Sequence, residues 1–149
     1  MLQSEFLMSL AVDVGELLSL GEAPQGERRV VAILGGSFEG PALRGSILPG
    51  ADWQLMRRDG VLEIDARYAL REAGGGIVAV RSQGYRHGPP EVLAARGRGE
   101  AVDPASYFFR TVMRFETGTG RLAWLNRVIA VAVGERRARQ VLLQAHALR

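Results

Sequence analysis

The chain has no cysteine, no lysine, only two histidines, and no apolar run near the ~18 residues that a membrane-crossing helix needs. Each absence removes a class of function. Without cysteine there is no thiol nucleophile, no thiolate-bound zinc, no iron–sulfur cluster and no disulfide framework. Two histidines, His87 and His146, with no His-Glu-x-x-His spacing, predict no metal site, and no cofactor is expected. The segment Met1 to Leu10 carries Glu5 and no basic residue, and Asp13 interrupts the apolar residues after it, so it does not read as a signal peptide. A cytoplasmic protein with no membrane partner is the expectation. Because every one of the 19 basic residues is arginine, the isoelectric point is high although the net charge is only +3. The pairs Arg28-Arg29, Arg57-Arg58 and Arg136-Arg137 are separated by acidic residues, not gathered into a basic stripe. No nucleic-acid partner is expected from that spacing.

What is abundant is glycine, 19 of 149 residues, against a usual share of ~7%. With 47% hydrophobic and 23% charged residues and no compositional seam, the chain reads as one domain, 1–149. A chain of this size buries enough surface to fold without staples. Short apolar runs bounded by Gly, Pro and Asp alternate with period two. In Val61 to Leu70, the residues Leu62, Ile64, Ala66, Tyr68 and Leu70 share one face, and Glu63, Asp65 and Arg67 lie on the other. Asp59-Gly60 is a hairpin turn joining Trp53–Arg57 to this strand, and Gly74 to Gly76 turn the chain into Ile77–Gly84. Further strands are expected over Phe6–Val14, Arg29–Phe38, Leu43–Leu48, Tyr107–Glu116, Leu122–Val133 and Gln140–Leu148. Helix is confined to Pro90–Arg96 and one turn at Asp103–Tyr107, where Asp103-Pro104 supplies a cap and a first helical residue. About nine strands with almost no crossovers predict an all-β, single-domain closed antiparallel β-barrel of eight to ten strands, calycin-like in appearance.

Candidate chemistry is sparse. Ser37 lacks a nucleophile elbow, and Gly35-Gly36 lacks the Lys and helix start of a phosphate loop, so the pair reads as a bulge or close backbone approach. His87 lies in a Gly-Pro-Pro turn; His146 lies between alanines in a strand. More telling are Asp52-Trp53 opening a strand after Pro49-Gly50, Asp65 on the polar face of the best strand, and Arg86 in the Tyr85–Pro89 turn. Arg110 sits inside an aromatic strand, and Trp124 and Asn126 share a face of Leu122–Val133. A guanidinium in an aromatic strand is either an outward ion-pair partner or an inward anchor for an acidic group.

The blocks Arg28 to Pro41, Leu43-Arg44-Gly45, Pro49 to Gln54, Gly60 to Tyr68, Gly84 to Pro89, Tyr107 to Thr111, Phe115-Glu116-Thr117 and Trp124-Leu125-Asn126 resemble, in the same order, the domain of unknown function 3237 family, also called uncharacterised protein family 0311. The resemblance spans nearly the entire chain and implies a small antiparallel β-barrel without an established activity. Pro49 stands where the family usually has Gly, and Glu72 to Gly75 replace its acidic turn.

The leading expectation is a barrel that binds a small acidic or aromatic metabolite in its interior, with Asp52, Trp53, Asp65, Arg86, Arg110, Trp124 and Asn126 lining one cavity. A second is a metal-independent enzyme in which a buried Asp52 or Asp65 is acid or base and an arginine stabilises negative charge. A third is a non-catalytic homo-oligomer, most simply a homodimer, because both faces of Leu122–Val133 are largely apolar and need cover.

Overall fold

The structure is a computed structural model describing residues 1–149. Eight antiparallel strands follow one another around a closed barrel, and the last pairs with the first. They are β1 (Ser4–Ala23), β2 (Gly26–Glu39), β3 (Arg44–Arg57), β4 (Leu62–Glu72), β5 (Ile77–His87), β6 (Phe108–Glu116), β7 (Ile129–Arg136) and β8 (Gln140–Leu148). The single α-helix, α1, covers Pro90–Gly97 and is followed by a 3-10 turn at Pro104–Ser106, where the Asp103 side chain accepts from Ala105 N at 2.9 Å. Both lie in the connection from β5 to β6. The expected class, an almost helix-free closed barrel, is the one observed.

Period-two alternation decides which side of each strand faces inward. Leu62, Ile64, Ala66, Tyr68 and Leu70 are all buried, and the residues between them line the outside. The Asp59-Gly60 turn closes with Gly60 N donating to Arg57 O at 3.1 Å, and Gly60 takes a φ of 87° that favours glycine. Glu72 N donates to Gly76 O at 2.8 Å across the second expected hairpin. At Gly35-Gly36 the register slips: Asp13 opposes Gly35 and Val14 opposes Ile33, the bulge that the paired glycines lead one to expect.

Two expectations about elements are corrected. Leu43–Leu48 and Trp53–Arg57 are halves of one strand, β3, and Pro49-Gly50 is no turn. The register against β4 shifts between Leu48 and Ala51, so the missing N–H of Pro49 falls at an irregularity in the ladder, and Gly50 lets the β4 backbone come close. Leu122–Val133 is not a strand throughout. Gly120–Arg127 forms a 3-10 helix, and β7 begins only at Ile129. In a 3-10 helix residues i and i+3 eclipse, and Leu122 and Leu125, at 3% and 0% exposure, use that spacing to plug one end of the barrel. The two-faced apolar strand that motivated self-association is therefore absent. β7 alone keeps Ile129 and Val133 exposed.

The interior divides into halves. Towards the 3-10 plug, Met8, Leu10, Leu70, Val78, Met113 and Leu125 are fully buried and fill the barrel. Towards the β5–β6 connection the lining side chains are smaller or polar and the barrel is hollow. Gly134 matters to that hollow half, since a Cβ on it would meet the Phe109 ring at 2.6–2.7 Å. Gly134→Ala should cost about 1–3 kcal/mol through overpacking and push the Phe109 ring into the cavity. Urea denaturation measures the loss; an unchanged midpoint would show that Phe109 yields freely.

Candidate functional site

The hollow half forms a cup lined by Val12, Val14, Val31, Ile33, Val141 and Leu143 on one side and by polar groups on the other: Asp52, Gln54, Tyr68, Ser82, Arg86, Thr111 and Arg136. The cavity has a volume of ≈ 50 Å³. It holds a few waters or a small substituent, well short of the ~150 Å³ that takes a benzene ring. A ring-sized body must lie towards the mouth. Across that mouth run α1 and the segment after it, with Val92, Leu93 and Val102 packed on the core.

Alternation places each of these groups. Asp52 opposes Val31, whose side chain is buried, so its carboxylate enters the barrel while Trp53, opposing Val30, stays outside at 49% exposure. Arg86 sits between Leu62 and Phe109 across the sheet, on the inward face of both. Arg136 continues the inward series Ala130, Ala132, Gly134 on β7.

Hydrogen bonding inside the cup is incomplete. Gln54 Nε2 donates to Asp52 Oδ2 at 2.8 Å and Asp65 N donates to Asp52 Oδ1 at 3.0 Å. Ser82 Oγ donates to Thr111 Oγ1 at 2.8 Å. Gln54 Oε1 and the Tyr68 hydroxyl, both buried, have no partner, an omission that costs about 1–3 kcal/mol for each group. The Arg86 guanidinium lies 5.7 Å from the centre of the Phe109 ring. No carboxylate forms an ion pair with Arg86 or Arg136.

The electrostatics follow from that. Burial pushes the Asp52 carboxyl above the ordinary aspartate range, against the opposing pull of the Gln54 and Asp65 hydrogen bonds and the Arg86 charge. Burial, reinforced by the charges of Arg136 and Arg96, lowers Arg86 to about 10. Arg136 is lowered for the same reasons, burial first and then Arg96. Burial also raises the Tyr68 hydroxyl.

Of the residues singled out in the sequence, Asp52 and Arg86 meet in this cup. Trp53, Asp65 and Arg110 meet elsewhere, in a groove of ≈ 670 Å³ on the outer surface of β3 to β7. There Asp65 accepts two bonds from Arg81 at 3.3 Å, and Arg110 lies 5.3 Å from the Phe108 ring centre and donates to Phe109 O at 3.0 Å. Trp124 lies in a third depression near the opposite end of the barrel, beside Phe6, Arg127 and Val128. Asn126 is a brace: its Oδ1 accepts from Thr117 N at 2.7 Å and its Nδ2 donates to Thr117 O at 3.0 Å. One shared cavity for all of these residues is thus not formed. Gln54, Tyr68, Ser82, Thr111 and Arg136 belong to the cup without standing out in the sequence, although Gln54 is two residues from Asp52 on the same face and Tyr68 belongs to the best alternating strand. His87, at the end of β5, stacks on Phe108 at 4.7 Å, outside the cup. No cluster of three or more His, Asp or Glu side chains could hold a metal ion.

Residues 2–148 match the family described as "Protein of unknown function (DUF3237)". The chain belongs to the DUF3237 family. A UPF0311 protein of Bradyrhizobium diazoefficiens is 40% identical over 146 residues, covering 97% of this chain and 95% of that protein. The crystal structure of a conserved protein of unknown function from Rhodopseudomonas palustris superposes with a TM-score of 0.95 at 36% identity, covering 100% of this chain and 99% of that one. A more distant likeness, TM-score 0.71 at 19% identity over 97% of this chain and 94% of the other, is to an enzyme from Penicillium herquei and concerns the fold alone. The family membership accounts for the ordered sequence blocks, and it assigns no activity.

Asn126→Ala should lower stability by about 1–3 kcal/mol, for two hydrogen bonds lost at the plug, and leave any interior binding unchanged. Thermal melts together with a binding titration check both halves. Weakened binding with unchanged stability would return Asn126 to the site.

Proposed function

We propose that this DUF3237 protein binds a small acidic metabolite in the hollow half of its barrel, with the acid held by Arg86 and Arg136 and the remainder against the Val, Ile and Leu wall. The observation that carries this reading is Arg86, a cation inside the barrel with an aromatic face beside it and no ion-pair partner. A buried charge is costly unless something pairs with it. A carboxylate would accept from such planar donors in a bidentate manner. The unpartnered Gln54 Oε1 and Tyr68 hydroxyl support polarity in the ligand as well, and the narrow floor favours a compact acid over a broad aromatic system.

A second reading makes the same cup catalytic, with Asp52 as acid or base. Its raised carboxyl supports that chemistry, since a carboxylic acid tuned towards neutrality can hand over or take up a proton at working pH. The enzyme from Penicillium herquei, a fold neighbour, agrees with a barrel of this kind hosting a reaction.

The deciding experiment is a thermal-shift screen of small carboxylic and phenolic acids on the wild type and on Arg86→Met, followed by calorimetry on each hit. Replacing an unpaired buried cation by an apolar side chain should keep or raise the melting temperature, while affinity for the hits should fall more than tenfold, about 1.4 kcal/mol. Equal affinity in both proteins would remove Arg86 from the site.

Asp52 supplies a separate expectation. Its folded carboxyl titrates above the unfolded one, so the folded state binds the extra proton and stability is lost as pH rises through the folded value. Asp52→Asn, which cannot ionise, should lack that loss. Urea melts of both proteins from pH 4 to 8 measure it, and parallel pH profiles would show that Asp52 is not desolvated.

A further inference from the structure

The guanidinium count at the mouth of the cup exceeds what a simple carboxylate neutralises. Arg86 and Arg136 line the cavity, and Arg96, in the last turn of α1, meets Arg136 just outside that lining. Arg96 Nη2 and Arg136 Nη1 both donate to one acceptor, the Arg137 carbonyl, at 3.4 and 3.0 Å, so two cations share a single neutral oxygen. Arg96 Nε is buried and donates to nothing. None of the three arginines belongs to an ion pair. Asp52 is the one acidic group lining the cup. Three like charges held together with one counter-charge leave an excess of two. Burial first, and then the charges of Arg136 and Arg96, disfavour the charged form of Arg86.

We propose that the ligand's head group is a dianion of the phosphate monoester class, gripped by Arg86 and Arg136 from the barrel wall and by Arg96 from α1. This rests on the acid-binding reading above and sharpens it. A tetrahedral dianion offers three acceptor oxygens, enough for guanidinium groups that approach from β5, β7 and α1, and its two charges cancel the excess. A monocarboxylate offers two oxygens and leaves one cation unpaired. The anion would add, through Arg96, to the ties that Val92, Leu93 and the Arg137 carbonyl already give α1 on the barrel.

The test is calorimetry on the full chain with phenyl phosphate, benzenesulfonate and benzoate, which share a ring and differ in head-group charge and shape. Phenyl phosphate at pH 7.5, largely dianionic because its second pKa is about 6, should bind at least tenfold tighter than either monoanion. Arg96→Gln should erase that margin and leave benzoate within twofold of wild type, whereas Arg96→Lys, which keeps the charge, should retain part of it. Circular-dichroism melts of both variants confirm folding. If benzoate binds as tightly as phenyl phosphate, or the margin survives Arg96→Gln, the dianion proposal is overturned and acid binding stands. If neither benzoate nor phenyl phosphate binds, both fall.

Discussion

Closure of β1 onto β8 is the pairing on which the rest of the molecule depends. It joins residues 4–13 of the first strand to residues 140–148 of the last, more than a hundred residues apart, and without it the sheet would have two unpaired edges and no inside. Once the sheet is closed, every strand has an interior face and alternation assigns each side chain to it. The irregularities in the ladders, at Gly35-Gly36 in β2 and at Pro49-Gly50 in β3, let long strands bend around the circumference. Closure also concentrates the interior. The faces that a flat sheet would spread apart converge on one axis, so Asp52 on β3, Arg86 on β5 and Arg136 on β7 come within each other's electrostatic reach.

That convergence has unequal results in the two halves. Near the 3-10 plug the inward positions are Met, Leu, Val and Phe, which pack densely and carry the stability. At the other end the inward positions include arginines, an aspartate, a tyrosine and a glutamine, whose hydrogen bonds are only partly met inside the protein. A fold selected for stability alone would gain by making these positions apolar, because replacing buried charge by hydrophobic groups is often neutral or stabilising. An unbalanced set of polar groups lining a cavity is the reason for proposing a site there. The outer groove contrasts with it. Asp65 is paired with Arg81 there, and Arg110 has Phe108 and a carbonyl.

Much of this is legible in the sequence, and the failures share a cause. Where polar and apolar residues alternate cleanly, as in Leu62 to Leu70, period two yields the strand, the face and the hairpin turns on both sides. It also places Asp52 and Trp53 on opposite sides of β3. Arg110 is ambiguous because Tyr107, Phe108 and Phe109 are apolar on both faces, which hides the parity; Phe109, Thr111 and Met113 face in, so Arg110 faces out. Arg136 lies beyond the end of the expected strand Leu122–Val133, though it keeps the inward parity of Ala130 and Ala132. Trp124 and Asn126 mislead because Leu122 and Leu125 recur every three residues, a spacing that belongs to a 3-10 helix and breaks alternation. Arg96 reaches the mouth only through the path of the β5–β6 connection, a tertiary fact that no local pattern encodes.

The central claim is that acidic ligands enter the barrel and are not held on its outer groove. Its most direct measurement is a crystal structure of the protein soaked with benzoate. The expected result is a carboxylate between Arg86 and Arg136, with the ring towards the mouth of the cup, next to α1. Benzoate seated only against Trp53 and Arg110 on the outer surface, with the interior unoccupied by it, would contradict the claim.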